Sequence, residues 1–172
     1  MAIVFELVAN CGGDEIAAQE FAENIAKRLK DVHIGNHRIS MHQPHSYKIR
    51  DKNTQAILVS IIPKQVGYRV GLDQEDYRIP LTSSELTELG NVLYDFIREI
   101  PSYRVALVGW DVDWTVCYEE LKSERSEELD DGDIDGLIVA NDLLFDLPGK
   151  EHFVPFDAEH SWIPYEGTKA IE

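Results

Sequence analysis

The segment YRVALVGW, at residues 103–110, constrains the fold more than any other part of the chain. Read as a β-strand, it is apolar on both faces, because Tyr103, Val105 and Leu107 alternate with Ala106, Val108 and Trp110. Only Arg104 within it is charged. An exposed face of a strand normally carries polar side chains, so this pattern predicts a strand that is covered on both sides. We therefore expect residues 103–110 to form the central strand of a sheet.

The rest of the chain has the patterns of both strands and helices. Apolar or alternating residues predict strands at 2–9, 55–62, 66–72 and 136–140. Apolar residues at helical spacing predict helices at 14–31, 83–100 and 114–129, the second of them starting with the capping box TSSE. This order is neither strictly alternating nor all-β. It favours an α+β fold with a mixed, largely antiparallel sheet and about three helices packed mainly on one face.

The length and composition fit a single domain. The chain has 172 residues, of which 44% are hydrophobic, and this is enough to bury a sizeable core. We assign residues 1–172 to one α+β domain, with residues 151–172 as an extended, aromatic and Pro-rich C-terminal segment over the core. Prolines interrupt regular structure in this segment, and four aromatic side chains are placed to pack there: Phe153, Phe156, Trp162 and Tyr165.

The charge of the chain is strongly negative and unevenly distributed. The net charge is −16, from 32 acidic and 16 basic residues. Residues 111–146 hold 13 acidic residues against Lys122 and Arg125, whereas residues 27–52 hold seven basic residues against two acidic ones. Nucleic acids and anionic membranes attract positive surfaces. The charge therefore argues against both as partners.

The acidic region predicts a docking surface for a basic protein partner, because complementary charges steer association. We expect seven carboxylates to make the contacts: Asp111, Asp113, Glu120, Glu124, Glu127, Glu128 and Asp130. A protein-binding module, such as an immunity-type inhibitor of a toxin or nuclease, fits this placement of charge. The sequence has no nucleophile elbow, P-loop or C-x-x-C motif, which favours binding over catalysis.

An alternative hypothesis is a calcium site in the sequence DGDIDGLIVAND, at residues 131–142. This stretch resembles an EF-hand loop, and the resemblance implies Ca²⁺ ligation by Asp131, Asp133, Asp135 and Asp142. It departs from the pattern at Ile134 and in ending on Asp instead of the longer Glu. The following residues also lack the pattern of an exiting helix, and there is no second loop to pair with. A turn between a helix and a strand is the alternative.

Two aspartates at the end of the central strand carry a third hypothesis. Asp111 and Asp113 share a face and suit acid–base or Mg²⁺ chemistry in a pocket roofed by Trp114 and Trp162. Strand-end aspartates also cap a following helix, and capping is the commoner role. Cys11, near the start of a predicted helix, is a further candidate nucleophile, because the helix dipole favours thiolate.

Two other features have structural interpretations. His33, His37, His42 and His45 lie close together in sequence, but their spacing fits a polar sheet face or hairpin better than a metal site. Cys11 and Cys117 are too few for a disulfide framework, so we expect buried free thiols.

The N-terminus lacks a basic signal-peptide region, and no apolar run approaches the length of about 20 residues that spans a bilayer. We therefore expect a cytoplasmic protein.

Overall fold

The structure, a computed structural model, describes residues 1–73 and 77–167. In chain order the elements are β1 (Phe5–Asn10), α1 (Glu15–Arg28), β2 (Val32–Ile34), β3 (His37–Ile39), β4 (His45–Asp51), β5 (Thr54–Ile61), α2 (Ser83–Ile97), β6 (Val105–Trp110), α3 (Tyr118–Lys122), α4 (Ser126–Asp131), β7 (Ile138–Ala140), β8 (Val154–Pro155) and β9 (His160–Trp162). Short 3₁₀ turns lie at Asp113–Val116, Leu144–Asp146 and Lys150–His152. The predicted α+β class is confirmed.

The main sheet has seven strands in the order β4-β5-β1-β6-β7-β9-β8. Neighbouring strands in it pair antiparallel, and the register of β1 with β6 sets Phe5 opposite Trp110 and Asn10 opposite Val105. The strand β6 is thus the fourth of seven, and Val105–Val108 are buried on both faces. The predicted central strand is confirmed. The hairpin β2–β3 forms a separate two-stranded sheet.

The two faces of the sheet contact different hydrophobic clusters. One cluster joins Ala106 and Val108 of β6 to Phe21 of α1 and Leu89 of α2. The other joins Val105 and Leu107 of the same strand to apolar residues of α3, α4 and the turn before them. Alternating side chains of one strand thus supply two cores. The prediction that the helices pack mainly on one face is not confirmed, because α1 and α2 contribute to one cluster and α3 and α4 to the other.

The two long helices begin at caps that the sequence encodes. Asp14 caps α1 by accepting from the N–H groups of Ile16 and Ala17, at 2.9 and 3.1 Å. Thr82 and Glu85 form the predicted capping box of α2. Each cap satisfies N–H groups that have no partner within the helix. Among the helices in the described part of the chain, none has the length and apolarity needed to cross a membrane.

The segment at residues 66–72 is not the predicted strand. Only Tyr68 forms a bridge, to Ile3, while Gln65 and Arg69 have positive φ values of 64° and 50° that break an extended chain. Val66 and Val70 are still buried, so the alternating apolar pattern is real. Alternating apolar residues indicate which side chains are buried, but they do not show that the backbone pairs with another strand. Here the buried side chains belong to a loop that contacts the core.

Two further segments differ from their predicted form. The predicted helix at 114–129 is divided into a 3₁₀ turn, α3 and α4, with breaks after Val116 and Lys122. The predicted C-terminal segment is described as far as residue 167, and residues 168–172 lie outside the described range; it contains β8 and β9, and β9 pairs with β7. Phe156 and Trp162 from this segment pack against Tyr94 of α2, which agrees with the predicted aromatic contacts.

Candidate functional site

Eleven of the 32 acidic residues lie in the layer that covers one face of the sheet. This layer consists of residues 111–135, including the 3₁₀ turn, α3 and α4, and we call it the acidic layer. Val116, Leu121 and Leu129 are fully buried against the sheet and fix its inner side. The charged residues between these anchors therefore lie on its outer side, where Glu124, Glu127 and their acidic neighbours are exposed.

Contacts from the sheet hold the acidic layer in place. Asp51, at the end of β4, accepts a hydrogen bond of 3.1 Å from the Glu119 N–H in the first turn of α3. Lys52 donates to the Ser123 hydroxyl at 2.6 Å, and the amide of the buried Asn10 donates to the Val116 carbonyl at 2.9 Å. Sequence reasoning missed these roles. The buried position of Asp51 in a turn is visible only once the β4–β5 hairpin faces α3.

The carboxylates of this layer have few basic partners. Of the seven predicted contact residues, all described, only Glu128 forms an ion pair, with Arg125 at 3.1 Å. Lys122, the other basic residue of the layer, lies over the ring of Tyr118 at 5.3 Å. The six remaining carboxylates are Asp111, Asp113, Glu120, Glu124, Glu127 and Asp130. The layer therefore presents negative charge that the described residues do not neutralise.

Asp111 and Asp113 lie where β6 ends, as predicted, but each has a local structural contact. Asp111 has a φ of 48°, and its carboxylate accepts from the Val4 N–H at 2.8 Å. The Asp113 carboxylate accepts from the Trp114 N–H at 3.1 Å. The predicted roof is not formed, because Trp162 packs in the cluster on the opposite face of the sheet from the acidic layer. Trp114 is 56% exposed.

A second exposed aromatic residue lies just beyond the acidic layer. Phe145 is 81% exposed in the turn Leu144–Asp146, and Lys150 lies over its ring at 4.7 Å. Leu143 and Leu147, on either side of that turn, pack in the same cluster as α3 and α4. Trp114 and Phe145 therefore both belong to the cover of this face of the sheet.

The four predicted calcium ligands are not brought together. The Asp142 carboxylate is bonded to Arg104 at 2.6 Å, an interaction that lowers the pKa of Asp142. Between it and Asp135 the chain forms the buried strand β7 and not one continuous loop. Within residues 1–73 and 77–167, no three His, Cys, Asp or Glu side chains are grouped to hold a metal. Residues 131–142 thus span the end of α4, the strand β7 and the start of the next turn, whereas the resemblance implies a single loop.

The histidines of residues 33–42 lie in or near a hairpin, and both cysteines are buried. The predicted hairpin is confirmed, with His33 in β2 and His37 in β3, and His42 contacts Asp73 at 2.6 Å. Cys11 and Cys117 are buried free thiols, as predicted. Burial raises the pKa of Cys11 to about 12, the opposite of the shift expected from its place before α1. The desolvation of the thiolate outweighs the helix dipole, so Cys11 is a poor nucleophile.

An unexpected polar cluster lies beneath the acidic layer. Glu6 in β1 is only 7% exposed, and the pKa of its carboxyl is raised to about 7, with burial as the largest cause. Within that net shift, a hydrogen bond with the Ser60 hydroxyl lowers the pKa, and the charges of Asp113 and Asp111 raise it. The sequence carried one signal of this cluster, a single Glu in the otherwise apolar strand FELVAN. A charged residue within a strand buried on both faces needs a special environment.

Comparisons with known protein families, with curated proteins and with solved structures found no match. The function is therefore argued from the residues of this chain. Two features define the candidate site: an outward-facing layer of carboxylates, six of the seven predicted contact residues without a basic partner among the described residues, and a buried carboxyl group beneath it.

Proposed function

We propose that this chain is a binding protein that docks a basic partner protein through the acidic layer. The observation that carries the proposal is the set of six carboxylates, among seven, without a basic partner in the described residues. Like charges held close together repel one another, and a partner that presents Lys and Arg relieves that repulsion. Binding of a positive surface therefore lowers the electrostatic free energy of this layer, whereas the approach of a negative surface raises it.

The exposed aromatic residues strengthen the proposal. Interfaces draw much of their binding energy from a few buried aromatic and Arg anchors surrounded by polar contacts. Trp114 and Phe145 are large and exposed, and each adjoins an aspartate in the chain, so they suit the role of anchors. Their burial by a partner offers an attraction that salt does not screen, whereas the carboxylates provide steering that salt does screen.

The attachment of the acidic layer to the sheet also favours binding. Asp51, Lys52 and Asn10 fasten it through hydrogen bonds, and three buried apolar residues anchor its inner side. A surface that is held before the partner arrives loses less conformational entropy on binding. Such a protein acts as an inhibitor when the basic surface that it covers is the active site or ligand-binding surface of the partner. This role needs no metal or cofactor.

The test compares two variants with the same total charge. The first replaces Glu124, Glu127 and Glu128 of the acidic layer by Lys. The matched control replaces Glu20, Glu23 and Glu88, which are exposed on α1 and α2, by Lys. Binding of a fluorescent hexa-arginine peptide is measured by anisotropy between 20 and about 200 mM salt, where screening of exposed charges changes most.

The proposal predicts that reversal in the acidic layer weakens binding at least about tenfold, while the control stays within about twofold of the wild type. Wild-type affinity falls as salt rises, and the layer variant loses most of this dependence. Equal loss in both variants would show that only net charge matters, and the proposed surface would be wrong. A hexa-glutamine peptide serves as the neutral probe and is expected not to bind.

A further inference from the structure

A cleft of about 440 Å³ lies along the loop formed by residues 65–73, and we call it the arginine cleft. Two arginines and two tyrosines are among the described residues that line it: Arg69, Arg78, Tyr68 and Tyr77. Sites for small molecules typically measure about 300–1,000 Å³, so the cleft has the size of such a site. None of its described lining residues belongs to the acidic layer, so a site here does not depend on the proposed docking function.

The walls of the arginine cleft are held by the rest of the protein. Tyr68 and Ile3 exchange two backbone hydrogen bonds, of 2.7 and 2.9 Å. The Ile79 N–H donates to the Gln65 carbonyl at 2.8 Å, and the side chains of Val66 and Ile79 are buried in the core. A site whose walls are fixed in advance loses less conformational entropy when a ligand binds.

The acidic residue of the cleft already has partners. Asp73 is the one acidic residue among the described residues that line the cleft. Its carboxylate accepts from the Gln65 N–H at 3.0 Å and contacts Nε2 of His42 at 2.6 Å. This carboxylate therefore fastens the loop. With two arginines against one aspartate, the lining is positive, in contrast to the net charge of −16 for the whole chain.

The guanidinium group of Arg78 is held in a fixed orientation. Its Cζ atom lies 4.3 Å from the centroid of the Tyr68 ring, and its Nε atom donates to the Val66 carbonyl at 2.9 Å. A guanidinium group that stacks on a ring by its face keeps its N–H donors at its edge. Within the described part of the chain, no acceptor is bonded to either Nη atom of Arg78. Arg78 thus offers oriented donors to a ligand.

Arg69 and Tyr77 complete the set of groups that a ligand can contact. Arg69 is exposed, and its guanidinium group forms no hydrogen bond or ion pair with the described residues. Tyr77 is 60% exposed, and no described ring or cation lies on its ring. Guanidinium groups bind phosphate and carboxylate oxygens through charge-assisted hydrogen bonds. An exposed tyrosine ring offers a face on which a planar ring stacks.

We propose that the arginine cleft binds a small phosphorylated ligand with a planar ring, such as a mononucleotide. Arg69 and Arg78 bind the phosphate, and Tyr77 stacks on the ring. A phosphate group supplies the negative charge and the acceptor oxygens that the two guanidinium groups lack. A long polyanion such as nucleic acid is disfavoured, because it would extend beyond the cleft onto a chain with a net charge of −16.

The test measures binding by titration calorimetry at about 20 mM salt, where exposed charges are screened little. The probe is adenosine monophosphate, and adenosine and inorganic phosphate represent its two halves. The wild type is expected to bind the whole probe at least about tenfold more tightly than either half, because the linked groups bind together. Phenyl phosphate distinguishes the source of the ligand: weaker binding than the nucleotide assigns the site to nucleotides, and equal or tighter binding assigns it to aryl phosphates.

Two variants test the assigned roles. Arg69→Gln should weaken binding of both the nucleotide and inorganic phosphate by about tenfold or more, since a charge-assisted hydrogen bond is lost. Tyr77→Leu should weaken binding of the nucleotide and adenosine and leave binding of inorganic phosphate unchanged. Both residues are exposed, so the fold should be retained, which circular dichroism checks.

The matched control is Arg50→Gln, which makes the same change of charge at an exposed position in β4. Arg50 does not line the arginine cleft, and the control should stay within about twofold of the wild type.

Three results would overturn the inference. In the first, neither the nucleotide nor phenyl phosphate binds at millimolar concentration. In the second, Arg50→Gln weakens binding as much as Arg69→Gln, so that only the net charge matters. In the third, inorganic phosphate binds as tightly as the nucleotide, and Tyr77→Leu has no effect on either. Each of these results leaves the docking surface to its own test, the charge reversal of Glu124, Glu127 and Glu128.

Discussion

Replacing Glu6 by Gln should stabilise the protein at neutral and alkaline pH. The pKa of this carboxyl is raised from 4.5 to about 7 in the folded state, mainly because burial disfavours the charged form. A displacement of this size corresponds to about 3 kcal/mol at about 1.4 kcal/mol per pH unit. This value is the free energy that ionised Glu6 costs the folded state above pH 7.

The pH dependence follows from the direction of the shift. Below pH 4.5 the carboxyl is protonated in both folded and unfolded chains, so it costs nothing there. Between pH 4.5 and 7 the unfolded chain loses its proton first, and stability falls as the pH rises. Glu6→Gln removes this contribution. The variant should therefore match the wild type near pH 4.5 and exceed it by about 1–3 kcal/mol at pH 8.

The assay is urea unfolding of both proteins at pH 5 and pH 8, with Glu20→Gln as the control at an exposed position. Other carboxylates titrate in both proteins, so the measured quantity is the difference between them. A gain of about 1–3 kcal/mol also raises the melting temperature by about 2–12 °C for a chain of this length. Equal or lower stability of Glu6→Gln at pH 8 would refute the account of a strained buried carboxyl.

Three further predictions concern contacts that hold the candidate site or the core in place. Asp51→Ala should cost about 1–2 kcal/mol in urea unfolding, because the first turn of α3 loses the carboxylate that accepts its N–H. Tyr94→Phe should cost about 1–3 kcal/mol in the same assay, since the buried hydroxyl donates to one backbone carbonyl and accepts from one N–H. Gly149→Ala should lower the melting temperature measured by circular dichroism, because Gly149 has a φ of 69° and an added Cβ would collide with the Leu129 carbonyl at α4. A variant that unfolds like the wild type would contradict the corresponding contact.

The central strand and the long helices were predictable because local patterns specify them. Residues 103–110 are apolar on both faces, and few structures other than an inner strand of a sheet bury both faces. The capping box at Thr82–Glu85 states where α2 begins, whatever packs against it. In these segments the local signal and the tertiary environment agree.

The missed features depend on contacts between distant parts of the chain. The extended φ/ψ expected for residues 66–72 gives way to a loop because positive φ values at Gln65 and Arg69 redirect the backbone. Short helices such as α3 and α4 are set by packing and by Asp51, which lies far away in sequence. The pattern at residues 131–142 also gave no sign that residues 138–140 pair with β6 and β9 as a strand.

The acidic surface was predictable in charge but not in arrangement. The count of carboxylates between residues 111 and 146 is fixed by the sequence. Whether they are paired, buried or exposed depends on which side of α3 and α4 faces the sheet. Glu6 shows the same limit, because its effect follows from Ser60 and Asp113, which approach it from other segments.

Hydrogen–deuterium exchange with and without the hexa-arginine peptide tests the central claim most directly. Amide groups report where a ligand protects the backbone, independently of any substitution. The account predicts that protection on binding concentrates in residues 111–131, with residues 15–28 and 83–97 unchanged. Protection spread evenly over the chain, or confined to α1 and α2, would contradict the acidic layer as the docking surface.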